Sequence, residues 1–207
     1  MQLNERQNDA LTELINIAFS RTAASLSELT GHRVVLDVPK VAIYPISELT
    51  TRLADFLPAE LASVHQVFTG PLTGDALLLL NYDGAVMLTE LLTDEAIHSH
   101  RLNESAREVL TEVGNILLNA CLGMFGNLLQ VRISFSVPRL HLETLGDMVR
   151  SLVIDKEELR YALVVYTAFR VRDSAISGFL VIALSVVSLD RLIQEVEEWE
   201  DSQGDSS

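Results

Sequence analysis

The chain has little cysteine and few basic side chains. Of its 207 residues only Cys121 is a cysteine, so no disulfide can form within the chain. Lysine and arginine number 15 against 29 aspartates and glutamates, which gives a formal net charge of −14. Such a charge repels nucleic acid and anionic lipid, and no basic stripe with interleaved aromatic residues is present. We therefore expect neither a nucleic-acid nor a membrane partner.

The sequence also has no long uninterrupted hydrophobic run, and we expect no secretory leader. The most apolar stretch, residues 176–189, is short and interrupted by serines, whereas a membrane span needs about 20 apolar residues. The N-terminus, residues 1–5, is polar and acidic, unlike a signal peptide. Together with the lone cysteine, these features favour a cytoplasmic protein.

What the chain does contain is an internal repeat with an offset of 99 residues. Within residues 3–17, 8 of 15 positions are identical to their partners in residues 102–116. Further along, GDALLLL at residues 74–80 resembles GFLVIAL at residues 178–184. We predict a first unit over residues 1–99, a second unit over residues 100–199 and a disordered acidic tail over residues 200–207.

Each unit is predicted to open with a long helix that begins after an asparagine. The two helices are expected over residues 4–29 and 103–128, with Asn4 and Asn103 as N-caps. Gly31 is expected to end the first of them.

A strand should follow each opening helix, and each strand contains a proline. The alternating segments are residues 34–43 and 131–142, and Pro39 and Pro138 lie inside them. Because proline cannot donate to a ladder, we expect an edge strand or a bulge there. The remaining expected elements are strands at 65–68, 75–81, 148–154, 159–170 and 175–184, a short helix within 47–64, and closing helices at 83–92 and 188–199. The predicted fold class is α/β, with two pseudo-symmetric helix-plus-strand repeats forming one domain.

A helical wheel puts acidic and amide side chains in one stripe of each opening helix. At about 100° per residue, the first stripe contains Asp9, Glu13, Asn16 and Ser20, and the second contains Glu108, Glu112, Asn115 and Asn119. Polar residues on the wet face of a helix usually do no more than contact water. Here the Glu-x-x-Asn pair occurs in both copies, although asparagine is a poor helix former. A proline also follows each asparagine by 23 residues.

The pattern Asp/Ser-x-x-x-Glu-x-x-Asn-x22-Pro resembles the signature of the CheC phosphatases, relatives of CheX and of the phosphatase part of FliY. The first copy contains it in full, as Asp9, Glu13, Asn16 and Pro39. The second copy departs from it at one position and consists of Glu108, Glu112, Asn115 and Pro138. Glu108 stands where the family usually has Asp or Ser. The resemblance implies two pseudo-symmetric α/β halves with the signature helices packed on a β-sheet.

The resemblance also implies an activity, the hydrolysis of the aspartyl phosphate of CheY-P, a chemotaxis response regulator. The catalytic candidates are then Glu13, Asn16, Glu112 and Asn115. In this interpretation each asparagine positions the attacking water, and each glutamate pairs with a lysine of the receiver because a bare carboxylate would repel the phosphoryl group.

The other signature positions have supporting roles in this interpretation. Asp9 and Glu108 are candidate partner contacts at the rim, and Pro39 and Pro138 are structural. Mg²⁺ comes with the bound receiver, so no cofactor of the chain's own is expected. Many CheC-like proteins bind CheD, which makes CheD a possible second partner.

Other interpretations use the same residues differently. A non-catalytic adaptor would bind CheD or a flagellar-switch component through the helices, whereas a ligand-sensing domain has no support from particular residues. Cys121 falls on an apolar helix face and is expected to be buried. We interpret His98 and His100 as loop residues, because a structural metal site needs four ligands. We expect no metal site.

Overall fold

An eight-stranded antiparallel sheet with helices on both faces forms the body of the protein. The computed structural model describes residues 3–57, 60–93, 101–154 and 159–204. In the first half the elements are α1 (Glu5–Thr30), β1 (Val34–Leu36), β2 (Lys40–Pro45), a 3₁₀ turn (Ile46–Glu48), α2 (Leu49–Leu53), β3 (Glu60–Thr69), β4 (Gly74–Asn81) and α3 (Tyr82–Thr93). In the second half they are α4 (Glu104–Leu128), β5 (Ser134–Phe135), β6 (Arg139–Thr144), α5 (Leu145–Ile154), β7 (Leu159–Val171), β8 (Ser174–Ser185) and α6 (Val186–Gly204).

The predicted α/β class, with the opening helices packed on a sheet, is confirmed. Both halves show the same order of elements. That the halves are two copies of one unit stays a prediction.

The two halves interlock through their edge strands. The sheet order is β1-β7-β8-β4-β3-β5, with β2 also paired to β7 and β6 also paired to β3. The short strands of each half therefore complete the long strands of the other half. Neither half contains all the strand neighbours that its own sheet edge needs, so the halves form one folding unit.

The centre of the sheet joins the two segments whose sequences resemble each other. β4 pairs with β8 antiparallel, from Gly74 opposite Leu184 to Leu80 opposite Gly178. Both strands are covered on both faces, and this explains their nearly continuous apolar sequence. A Cβ at Gly74 would lie 2.2 Å from the carbonyl oxygen of Ala183, so only glycine allows this close approach.

Apolar side chains fill a layer on each face of the sheet. The larger core lies between the sheet and helices α1, α3, α4 and α6. The smaller core lies on the opposite face, under the 3₁₀ turn, α2 and α5. Because α1 and α4 are packed along one side, the other side of each helix is left to solvent.

The ends of the two long helices agree with the predicted caps. Asn4 and Asn103 are the N-caps, and each side chain accepts a hydrogen bond from the backbone N–H three residues on, at 2.8 Å. Gly31 ends α1 with φ of 71°, a left-handed conformation that favours glycine. By length and apolar composition, α4 could cross a membrane. It packs instead in the main core, and 50% of its most apolar window is buried, as in the core helix of a globular domain.

Each signature proline lies between two short strands rather than inside one. Three residues, 37–39, stand opposite two residues of β7, between the Leu36–Phe169 and Lys40–Tyr166 pairs. The same excess of one residue occurs around Pro138 opposite β3. The predicted strands over 34–43 and 131–142 were therefore too continuous, and each is split by a bulge at the sheet edge.

One predicted strand is a helix. Residues 148–154 belong to α5, and Leu145, Met148 and Leu152 are buried at helical spacing. Asp147 N–H donates to the Thr144 hydroxyl at 3.2 Å, a start signal that the strand prediction overlooked. The short apolar segment fits the period of a strand as well as that of a helix, and packing against α2 favours the helix.

The remaining differences concern element boundaries. The helix expected within residues 47–64 covers only Leu49–Leu53 after the 3₁₀ turn, and β3 already begins at Glu60. The closing helix α6 continues to Gly204, five residues past its predicted end. Arg6 of α1 holds this extension by pairing with Glu200 at 2.8 Å and with Asp201. Outside the described residues lie parts of two predictions: 205–207 of the predicted tail, and the histidines 98 and 100.

Candidate active site

The first acid–amide stripe lies on the face of α1 that is turned away from the sheet. Asp9 and Glu13 are exposed and Asn16 is half-buried. The opposite face is buried in the main core through Leu11, Leu14, Ile15 and Ala18. The helix period thus separates a packing face from a face that a partner can reach.

The second stripe has the same arrangement on α4. Glu108 and Glu112 are exposed, whereas Asn115 and Asn119 are half-buried. The buried face includes Leu110, Val113, Gly114, Leu117 and Leu118. All four predicted catalytic residues therefore lie on the outer faces of packed helices, where a partner protein can contact them.

The amide side chains of the two sites have different neighbours. In the second site Asn119 Nδ2 donates to Asn115 Oδ1 at 2.8 Å, and Asn115 Nδ2 lies 3.5 Å from Glu112 Oε2. In the first site the Ser20 hydroxyl donates to the backbone carbonyl of Asn16 at 2.9 Å. Within the described part of the chain, the Asn16 carboxamide makes no hydrogen bond of its own.

Close packing holds the second site against the sheet. A Cβ built on Gly114 would lie 2.5 Å from Val64 Cγ1 of β3, so the backbone of α4 runs directly against that strand. Gly114 is adjacent to Asn115 in the chain. The position of the asparagine is therefore tied to the sheet through the shortest side chain available.

Both signature prolines lie at bulges held by hydrogen bonds to a neighbouring strand. Near Pro39, Thr167 Oγ1 donates to the carbonyl of Asp37 at 2.9 Å, and Arg170 donates to the Asp37 carboxylate at 2.5 and 2.7 Å. Near Pro138, Gln66 Nε2 donates to the carbonyl of Ser136 at 2.9 Å. These contacts agree with a structural role for the prolines.

An open groove of about 570 Å³ separates α4 from the edge strand β6. Signature residues Glu108 and Glu112 line it, and across from them are Arg139 and His141, with Arg107 on the helix itself. The sequence alone does not point to these three basic residues. Their proximity depends on β6 pairing with β3, and nothing in the local pattern of either segment indicates it.

Other candidate chemistry in the chain has a structural explanation. Cys121 is fully buried among apolar side chains, and this burial raises the pKa of its thiol well above the usual range. The thiol is therefore a packing group and not a nucleophile. In the part of the chain that the structure describes, no three His, Cys, Asp or Glu side chains are grouped to hold a metal ion.

Two curated proteins resemble the chain over much of its length. No family model matches it. The CheY-P phosphatase CheC of Bacillus subtilis (strain 168) is 25% identical over 173 residues, which cover 80% of this chain and 81% of CheC. The flagellar motor switch phosphatase FliY of the same strain is 25% identical over 142 residues, which cover 68% of this chain. The match takes in only 36% of FliY's length.

Solved structures share the whole fold. FliY from Thermotoga maritima superposes with a TM-score of 0.74 at 20% identity, covering 96% of this chain and 99% of that one. The middle domain of FliM from H. pylori superposes with a TM-score of 0.66 at 10% identity, covering 93% and 99%. The chain is thus similar in sequence to CheC and FliY, and it has the fold of FliY and of the FliM middle domain.

Proposed function

We propose that the chain hydrolyses the aspartyl phosphate of a CheY-type response regulator. The observation that carries the proposal is the pair of Glu-x-x-Asn stripes, each on the outer face of a helix whose opposite face is buried. Sites on packed helices hold their geometry better than sites on loops. The names of two relatives, CheY-P phosphatase CheC and flagellar motor switch phosphatase FliY, support the same activity.

The two asparagines position the attacking water. A carboxamide accepts a hydrogen bond from water with its oxygen and donates to a phosphoryl oxygen with its nitrogen. The water oxygen bonds to phosphorus as the bond from phosphorus to the aspartyl oxygen breaks. The products are the free carboxylate and dihydrogen phosphate, which carries both hydrogens of the water. Since an acyl phosphate is already reactive, positioning alone contributes much of the rate and no general base is needed.

The two glutamates bind the partner. A carboxylate next to a phosphoryl group is repelled unless a cation lies between them. Glu13 and Glu112 therefore pair with a lysine of the receiver and orient it over the asparagine. Asp9 and Glu108 lie one helical turn before these glutamates and contact the rim of the receiver. The receiver brings its own Mg²⁺, so the site needs no metal ligand from this chain.

A non-catalytic adaptor is the second candidate. The name of FliY, a motor switch phosphatase, and the fold shared with the FliM middle domain favour binding to a flagellar-switch component. CheD is a further candidate partner, on the basis of the signature alone. In an adaptor the outer faces of α1 and α4 would bind without chemistry.

A decay assay separates the two functions. A CheY-type receiver is phosphorylated with a small phosphodonor, the donor is removed, and dephosphorylation is followed with and without the chain. We expect Asn16→Ala and Asn115→Ala each to remove the contribution of one site. The double change should return the rate to that of the receiver alone. Asn127→Ala is the matched control, because Asn127 is exposed on α4 outside the stripe.

Two outcomes would contradict the proposal. If the double variant accelerates decay as well as the wild type, the asparagines have no catalytic role. If the wild type binds the receiver without changing its decay, the chain is an adaptor.

A further inference from the structure

We infer that Asn119 is a positioning residue that presets the Asn115 carboxamide, and that the second site is therefore organised before the receiver binds whereas the first site is not. The inference rests on the proposed function. It assigns a role to a residue outside the Glu-x-x-Asn signature and makes the two sites chemically unequal.

A hydrogen bond joins the two amides of the second site. Asn119 lies one helical turn after Asn115, and its Nδ2 donates to Asn115 Oδ1 at 2.8 Å. The nitrogen end of Asn115 consequently faces Glu112, with 3.5 Å between Nδ2 and Oε2. The reverse orientation would set the amide oxygen against the carboxylate oxygens. One bond therefore selects one orientation of a side chain whose terminal torsion is otherwise broad.

The Asn119 amide is satisfied only at its nitrogen end. Its Oδ1 is buried and has no hydrogen-bond partner among the residues that the structure describes. A buried unsatisfied acceptor is unfavourable, and alanine is also the better helix former. Packing alone would favour alanine at this position. A polar group retained against stability is typical of a functional site.

The first site is arranged differently. Ser20 occupies the position equivalent to Asn119, and its hydroxyl donates to the backbone carbonyl of Asn16. The Asn16 carboxamide is thus not held by a described side chain, and it must be ordered when the receiver binds. Asn115 keeps a second lone pair on Oδ1 for the water and its Nδ2 for the phosphoryl group. Preorganisation of one side chain corresponds to about a three- to tenfold advantage in rate.

The test uses chains in which one site is already inactive. In the Asn16→Ala background only the second site works, and Asn119→Ala is expected to lower kcat about three- to tenfold while KM stays within about twofold. Asn119→Ser, which copies Ser20, is expected to cause the same loss. The midpoint of thermal unfolding should be equal or higher in both variants. In the Asn115→Ala background, Asn119→Ala should add no further loss, because a positioning residue acts only through its target.

The outcomes are distinguishable. The inference is overturned if kcat of the Asn16→Ala chain does not change on Asn119→Ala. It is also overturned if Asn119→Ala lowers the rate of the Asn115→Ala chain, since Asn119 would then act through the fold. If Asn16→Ala and Asn115→Ala both leave the dephosphorylation rate at the wild-type value, the proposed function is refuted, and this inference with it.

Discussion

Gly114→Ala is expected to destabilise the protein and to damage the second site. At Gly114 α4 runs directly against β3, and an added Cβ would lie 2.5 Å from Val64 Cγ1 and 2.6 Å from Val64 Cβ. Valine is stiff at its first torsion and cannot rotate both atoms away. The helix must therefore move by nearly 1 Å for the added Cβ to reach an ordinary contact of 3.4 Å.

The size of the effect follows from two opposing contributions. Overpacking of a buried contact costs about 1–3 kcal/mol, and the stiffness of Val64 puts Gly114→Ala at the upper end. Replacing glycine by alanine within a helix stabilises the helix by about 1 kcal/mol. The net loss is about 2 kcal/mol, which corresponds to a fall in Tm of about 4–8 °C for a domain of this size. A displacement of about 1 Å at Asn115 would also reduce turnover by the second site, by up to about a hundredfold.

Gly123→Ala on the same helix is the matched control. Nothing lies within 4 Å of a Cβ built on Gly123. This change should leave Tm unchanged or raise it by a few degrees, at most about 1 kcal/mol of added stability. Thermal unfolding followed by circular dichroism measures both variants, and the decay assay in the Asn16→Ala background measures the second site. If Gly114→Ala is as stable as Gly123→Ala, the reasoning about close packing is wrong.

Two further predictions concern charged groups. Glu13→Lys combined with Glu112→Lys should weaken receiver binding about tenfold, as an attractive surface pair becomes repulsive. Glu28→Lys, about 22 Å further along α1 from Glu13, is the control and should change the affinity measured by titration with the receiver by less than about twofold. If the double variant binds the receiver with wild-type affinity, the ion-pair role of the two glutamates is refuted. The hydrogen bonds from Arg170 hold the pKa of Asp37 below its usual range, so this contact stabilises the protein above about pH 4 and its contribution is lost as pH falls through the lowered pKa. Between about pH 3 and pH 7, the urea midpoint of Asp37→Asn should fall less steeply towards acid pH than that of the wild type. If the two midpoints fall in parallel, the contact between Arg170 and Asp37 does not contribute as described.

The elements that were predicted well are those with long, unambiguous periodicity. The opening helices extend over some seven turns, so their apolar stripes and their caps at Asn4 and Asn103 point to the same structure. The strands predicted at 75–81 and 175–184 correspond to β4 and β8, whose sequences are nearly continuously apolar. The strand predicted over residues 148–154 was wrong because a short apolar segment fits the spacing of a helix as well as that of a strand.

Long-range contacts account for what the sequence did not indicate. The prolines were expected at an edge or bulge, but the split of each strand follows from pairing with a strand of the other half. The extension of α6 past Trp199 pairs with Arg6, which lies nearly the whole chain away in sequence. The basic residues Arg107 and Arg139 share a groove with the second stripe only because β6 lies beside α4.

The sequence by itself determined the Glu-x-x-Asn stripes, because they follow from helical spacing. It also determined where each helix begins and which of its faces is apolar. Tertiary structure alone decided how that face is used. Because the helices pack against the sheet, Glu13 and Glu112 face outward and Gly114 lies against Val64. The same packing leaves Asn115 half-buried beside Asn119. The physical reason is that spacing along a helix is local, whereas burial and the orientation of an amide depend on every element packed around it.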